Sequence, residues 1–188
     1  MVISQIGVIG AGQMGNGIAH VMALADYDVI IADVSQEHLV SATRKIAQNL
    51  DRQVIAKKIS KSQREKALEK IKTTVDLGRV AKTDLIIEAV NEDEELKRKI
   101  FHSLMPHLDQ HTILASNTSS ISITRLASCT DRPEKFLGFH FMNPVPIMQL
   151  VELIPGIATN QKTFDECKLV VDRLGKTVAR SEDFPAFI

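Results

Sequence analysis

Cysteine is scarce in this sequence, with only Cys129 and Cys167 in 188 residues. Neither has partners at metal-ligand spacing, which excludes a disulfide-stapled scaffold or a thiolate metal centre and fits two packed thiols in a reducing compartment. Nothing in the sequence supports a disulfide between them. Net charge is absent too: 23 Lys and Arg balance 23 Asp and Glu, which argues against general nucleic-acid binding. Long apolar runs are lacking, so no membrane insertion is expected, although 44% apolar residues suffice for a sizeable core. No charged leader, apolar h-region or cleavage site precedes Met1-Val2-Ile3, and the expected location is the cytoplasm. Repeats, low-complexity stretches and flexible linkers are missing as well. His107 and His111 have i, i+4 spacing, but they follow Pro106, where a helix is ending, and no third ligand is in view; no metal is expected.

What is present is concentrated at the start. An apolar run, Ile6-Gly7-Val8-Ile9, leads into Gly10-Ala11-Gly12-Gln13-Met14-Gly15 and then a helical pattern. Gly10 suits a tight turn, Gly12 removes a side chain that would block a pyrophosphate, and Gly15 lets the helix pack closely. The helix N-terminus then offers unpaired N–H groups and its positive dipole end to phosphate. A second apolar strand, Val29 to Ala32, ends in Asp33, 23 residues after Gly10, where an acid meets ribose hydroxyls. These residues point to NAD, because a carboxylate repels a 2′-phosphate.

Strand and helix patterns then alternate. Leu39, Ile46, Leu50 and Val54 recur at helical spacing, and either Ser60 with Gln63 or Ser62 with Glu65 can cap a second helix carrying Ala67, Leu68 and Ile71. This helical hairpin, about residues 36–72, is longer than a crossover needs. From Arg44 to Lys72 it holds ten Lys and Arg against three acids, a net +7 in a neutral chain. Strands are expected at Thr73–Val75, Leu85–Val90, Thr112–Ala115, Phe136–Phe139, Met148–Ile154 and Thr177–Ala179. A helix follows Asp93-Glu94-Glu95, and another is expected to be capped by Thr163 and Glu166, with Gly175 as its C′ residue. The predicted fold class is α/β: a Rossmann-type, doubly wound, mostly parallel sheet with a protruding basic helical hairpin.

Hydride transfer from an alcohol requires a base for the hydroxyl proton, and histidine suits that near neutral pH. His140 lies where a strand meets the proline-fixed loop His140-Phe141-Met142-Asn143-Pro144-Val145-Pro146, and Glu152 follows in the next strand. A carboxylate on one ring nitrogen fixes the tautomer and stabilises the imidazolium. Spacing alone leaves a purely structural His–Glu pair open, and favours it.

Four ordered segments, Gly10 to Gly15, Ser116-Asn117-Thr118-Ser119-Ser120, His140 to Pro146 and Leu150-Val151-Glu152, closely resemble the L-3-hydroxyacyl-CoA dehydrogenase family, including its 3-hydroxybutyryl-CoA dehydrogenases. The resemblance covers the whole chain. It implies NAD as cofactor, a 3-hydroxyacyl-CoA or 3-ketoacyl-CoA substrate, His140 as base, Glu152 as its partner, and Ser119 as a hydroxyl contacting substrate and cofactor. Asn143 matches a position on the nicotinamide side; Ala89, Glu92, Lys97 and Asn117 match positions near the cofactor, with Gly10, Gly12, Gln13, Met14, Gly15 and Asp33. The basic hairpin matches the arm that meets coenzyme A, with Lys57 and Lys58 nearest the family position, while a solvated basic face remains open for any single lysine.

The family continues through a Pro-Gly-Phe-Ile segment into a helical C-terminal domain that completes the site and makes the dimer. Here the matching segment reads Asp183-Phe184-Pro185-Ala186-Phe187-Ile188, with alanine for the usual glycine, and the family's substrate-binding asparagine falls past residue 188. The expectation is one NAD-binding domain over residues 1–188 without the C-terminal domain, monomeric or weakly self-associating, with Phe184, Phe187 and Ile188 uncovered. A dinucleotide-binding module without turnover is the alternative. A related NADP-using dehydrogenase with a lysine base fits less well, given His140 and Glu152.

Overall fold

The computed structural model describes residues 3–184, so the expectations at Met1, Val2, Ala186, Phe187 and Ile188 lie outside the described residues. In chain order the elements are β1 (Gln5–Ile9), α1 (Gln13–Leu24), β2 (Asp28–Ala32), α2 (Gln36–Ile55), α3 (Lys61–Glu69), β3 (Ile71–Thr74), α4 (Leu77–Val80) and β4 (Leu85–Glu88). They continue with α5 (Glu94–Leu104), β5 (Ile113–Ser116), α6 (Ile123–Ala127), β6 (Phe136–Phe141), β7 (Leu150–Pro155), α7 (Gln161–Arg173) and β8 (Thr177–Arg180). One eight-stranded sheet runs β3-β2-β1-β4-β5-β6-β7-β8. All neighbours are parallel except β6 and β7, which are antiparallel.

The sheet is buried on both faces because its strands carry apolar residues at successive positions. Ile86, Leu114, Phe136 and Ile154 pack with α4, α5 and α6. Leu85, Ile87, Ala115, Leu137 and Leu153 pack with α1, α2 and α7 on the other side. The order reverses between β1 and β4, and in a doubly wound sheet that switch point opens a crevice at the carboxyl ends of the strands.

The basic hairpin is more closely held than its length suggested. Leu39, Ala42, Ile46 and Leu50 of α2 and Ala67 of α3 are buried in the core that includes α1, so only the turn around Ile55 to Lys58 stands out, with Ile55 exposed. Of the two capping boxes the sequence allowed, Ser60 with Gln63 forms. The hairpin ends at Glu69, short of residue 72, because Ile71 and Lys72 pair with Val29 and Ile30 as edge strand β3. Val75 falls beyond that strand.

Further boundaries differ from expectation: β4 stops at Glu88, short of Val90, and β6 runs on to Phe141, past Phe139. Strand β7 begins at Leu150, not Met148, because Met148 N–H is turned back to the Pro144 carbonyl and Lys176 Nζ binds the Met148 carbonyl. The cap of α7 is Asn160, whose side chain accepts from Thr163 N–H; Thr163 instead donates its hydroxyl to the Glu134 carbonyl. Gly175 follows α7 at φ +67°, in the left-handed conformation expected of a C′ residue. The tail is tied down at Asp183, whose carboxylate accepts from Ile123 N–H, Thr124 N–H and the Ser122 hydroxyl, while Phe184 stays 64% exposed.

Candidate functional site

The glycine turn has the shape its sequence required. Gly10 sits at φ +101°, and a Cβ there would lie 2.7 Å from the Ala89 carbonyl oxygen. A Cβ on Gly15 would overlap the Gly10 carbonyl, whereas one on Gly12 would meet nothing within 4 Å. The space before α1 is thus open. Every other α-helix described here has a side-chain N-cap, but Gly12 gives α1 none, and no acid lies in its first turn. Its first-turn N–H groups therefore face that space without a side-chain acceptor, an arrangement suited to a pyrophosphate.

On one side of the turn, a cleft of 330 Å³ is lined by Gly10, Gly12, Asp33, Val34, His38, Val75, Leu77, Leu96 and Ile100, with Ala89 and Val90 as its inner wall. Asp33 Oδ2 accepts from Ala11 N–H at 2.8 Å, and Oδ1 from Ser35 N–H at 3.0 Å. Burial alone would raise this carboxyl's pKa, but those two hydrogen bonds and His38 outweigh it and hold Asp33 below its ordinary value. It remains an anion.

A second cleft, of 300 Å³, shares Ala89 and Val90 and is lined by Met14, Glu92, Asn117, Ser119, His140, Met142 and Asn143. The two clefts flank the end of β4, with Ala89 and Val90 lining both. Gln13 Nε2 donates to Asn143 Oδ1 at 3.1 Å, and Asn117 Oδ1 accepts from Phe141 N–H at 2.9 Å. Glu92 Oε1 collects the Thr118 hydroxyl, both the N–H and hydroxyl of Ser119, and both the N–H and hydroxyl of Ser120. Burial pushes its pKa up, yet these donors and nearby Lys97 prevail, leaving it lowered. Glu92 thereby shapes the serine loop.

Lys97 lies behind the cleft. Its side chain is 1% exposed, and its Nζ is 2.8 Å from Glu88 Oε1 and 3.6 Å from Glu92 Oε2. Its family match implied a position near the cofactor; buried as it is, Lys97 is placed to position those two carboxylates. Glu88 also accepts from Val90 N–H and the Ser116 hydroxyl, so the buried pair is fully hydrogen-bonded.

His140 and Glu152 face each other in register across β6 and β7, with Nδ1 2.8 Å from Oε2. Ser181 donates its hydroxyl to the other oxygen, Oε1, at 2.7 Å. A carboxylate only accepts, so the neutral ring carries its proton on Nδ1 and its lone pair on Nε2. Lys57 and Lys58 line neither cleft; they sit exposed at the hairpin turn, with Lys57 at φ +56°.

Sequence reasoning missed Glu88, Ser116, His38 and Ser181. Glu88 had a signal, an acid inside the apolar strand Leu85-Ile86-Ile87, which demands a buried cation. Ser181 had none, since a serine after a short edge strand is ordinary. Among the described residues no cluster of three metal-ligating side chains exists, and no helix is long and apolar enough to cross a membrane.

Residues 5–184 match the family model described as 3-hydroxyacyl-CoA dehydrogenase, NAD binding domain. A 3-hydroxybutyryl-CoA dehydrogenase of Bradyrhizobium diazoefficiens is 58% identical over all of this chain, which covers 64% of that relative. The human mitochondrial hydroxyacyl-coenzyme A dehydrogenase is 38% identical, with 62% of its length covered. In crystal structures, FadB2 of M. tuberculosis superposes with a TM-score of 0.96 at 38% identity, covering all of this chain and 67% of that one. The (S)-3-hydroxybutyryl-CoA dehydrogenase PaaH1 of Ralstonia eutropha also gives 0.96 at 38% identity, covering 99% of this chain and 66% of PaaH1. The chain thus spans a little under two thirds of its first curated relative and belongs to the NAD-binding domain family of the 3-hydroxyacyl-CoA dehydrogenases.

Proposed function

We propose that this chain is one NAD-binding domain that, in a protein organised like its relatives, interconverts an L-3-hydroxyacyl-CoA and the 3-ketoacyl-CoA, with short-chain 3-hydroxybutyryl-CoA as substrate. The first-turn N–H groups of α1 at Gln13 and Met14 would hold the pyrophosphate of NAD, Asp33 a ribose hydroxyl, and Met14, Ala89, Glu92, Asn117, Ser119 and Asn143 the nicotinamide side. NAD, when bound, supplies the two-electron acceptor. The chain's own residues handle the proton. His140 takes it from the substrate hydroxyl at Nε2 during oxidation and returns it during reduction, Glu152 stabilises the imidazolium, and Ser119 Oγ holds the reacting oxygen.

The observation that carries this reading is the His140–Glu152 pair opening on the same cleft as Ser119 and Asn143, one wall away from Asp33. Lys57, Lys58 and the basic hairpin would meet the phosphates of coenzyme A. The rest of the reading is a cytoplasmic chain, monomeric or weakly self-associating, with the helical domain of its relatives lying beyond these residues.

A second reading, a dinucleotide-binding module without turnover, draws on the exposed Ile147, Met148 and Leu150 beside the His140 loop and on the third of its relatives' length that the chain does not span. Calorimetric NAD titration and a rate assay with acetoacetyl-CoA and NADH on the same residues separate the two. Binding with turnover supports the dehydrogenase, binding without it supports the module, and no NAD binding removes both. Coenzyme A affinity that weakens as salt rises, and falls on charge reversal at Lys57 and Lys58, supports the hairpin's role.

A further inference from the structure

We propose that His38 is a second determinant of nucleotide choice beside Asp33, gated by a proton: when neutral it favours a ribose 2′-hydroxyl, and when protonated it admits a 2′-phosphate. This rests on reading the Asp33 cleft as the adenosine half of a dinucleotide site. The geometry is a matter of available lone pairs. An ionised carboxylate accepts at about four positions. Three on Asp33 are taken: Ala11 N–H on Oδ2 at 2.8 Å, and Ser35 N–H and His38 Nδ1 on Oδ1 at 3.0 and 3.1 Å. Asp33 can therefore receive one ribose hydroxyl without losing a partner, and a second needs another acceptor.

His38 is placed to be that acceptor. Its backbone is fixed in the first turn of α2, where its N–H donates to the N-cap Ser35 Oγ, while its side chain is 67% exposed and lines the cleft with Asp33. Because Asp33 only accepts, His38 Nδ1 carries hydrogen, so Nε2 is the nitrogen left for a ligand. Neutral Nε2 accepts from a hydroxyl but opposes a phosphate oxygen lone pair against lone pair. Protonated Nε2 donates, and the added charge offsets that of Asp33.

The surroundings leave little else to answer for such a switch. Of the residues lining the cleft, only Asp33 and His38 have ionisable side chains; the segment after β3 contributes Val75 and Leu77, and α5 contributes Leu96 and Ile100. Asp76, between Val75 and Leu77, spends Oδ1 on Gly78 N–H. On α2 itself Glu37 and Arg44, of opposite sign, line a neighbouring hollow.

The test is calorimetric titration of NAD and NADP at about 1.5 pH units above and below the ordinary imidazole pKa of about 6.5, on the unsubstituted chain, His38→Gln and His38→Lys. The 2′-phosphate titrates in the same range, near pH 6, but identically for all three proteins. On lowering the pH, the preference for NAD over NADP should fall about fivefold more in the unsubstituted chain than in His38→Gln, the size expected of one added charge about 5 Å from a phosphate in screened water. His38→Lys should show the weakened preference at high pH. An equal pH response in the unsubstituted chain and His38→Gln, with NAD bound by both, overturns the proposal alone. A chain that binds neither nucleotide overturns the dinucleotide reading and the proposal with it.

Discussion

His140 and Glu152 are directly opposed in the one antiparallel pairing of the sheet, 2.8 Å apart, and Ser181 fixes the carboxylate from behind at 2.7 Å. The carboxylate is thus oriented before any ligand arrives. Glu152→Gln, whose amide can donate as well as accept, should let the ring populate the Nε2–H tautomer. Nitrogen NMR of the imidazole reads this without turnover, and an unchanged tautomer would refute the coupling. Where turnover is measurable, kcat should fall by about a hundredfold or more, and less for Ser181→Ala.

The buried Glu88–Lys97 pair predicts an asymmetric stability response. Lys97→Ala leaves a fully buried carboxylate without its cation and should cost about 3–5 kcal/mol in urea unfolding. Replacing both partners, with Glu88→Leu and Lys97→Met, should recover much of that loss. A double variant as unstable as the single one would show that packing, not uncompensated charge, sets the cost.

His20 predicts a loss of stability in weak acid. It is 1% exposed, and burial first, then the charge of Lys176, lowers its pKa from 6.5 to about 4. Between those values the unfolded chain binds a proton that the folded chain refuses, so stability falls as pH drops from 6.5 toward 4. The contribution reaches about 3 kcal/mol at the bottom of that window. Urea midpoints compared at pH values across it should decline less in His20→Gln; parallel declines would assign the acid sensitivity to other groups.

Lys57 and Gly175 hold the same helix-ending role with unequal strain. Both are left-handed, at φ +56° and +67°, and both helices close with N–H groups returning to carbonyls of the last turn. Lys57→Gly should stabilise the fold by up to about 1 kcal/mol, and Gly175→Ala should destabilise it by a similar amount. Gly175 has open space around it, so the cost there is backbone strain alone. Thermal unfolding of the two variants checks the opposite signs.

The sequence was most legible where one residue type serves one local geometry. Gly10 and Gly15 showed the turn and the close helix, Asp33 the strand end, and the apolar runs the two-faced sheet. It was less legible where a side chain's partner lies far along the chain. Glu92 gave no sign of its part in shaping the serine loop because nothing local announces that Thr118, Ser119 and Ser120 converge on it, and Lys97 gave none of its burial because its helix is otherwise charged. Thr163 looked like a cap because Asn160, three residues earlier, gave no apolar pattern to mark the true helix start.

The reversal of direction at β7 divides the site by how it can be assembled. His140 and Glu152 are 12 residues apart and meet by closing a single hairpin. The Gln13–Asn143 link beside the cleft that holds Met14 and Ser119 joins residues 130 positions apart. Loop-closure entropy makes the longer join costlier by about 2 kcal/mol. The His140–Glu152 pair therefore belongs to a local unit, whereas the cleft lined by Met14, Asn117 and Asn143 exists only once α1 has docked against the far half of the chain. Any fluctuation that parts those halves opens that cleft first and leaves His140 and Glu152 still in register.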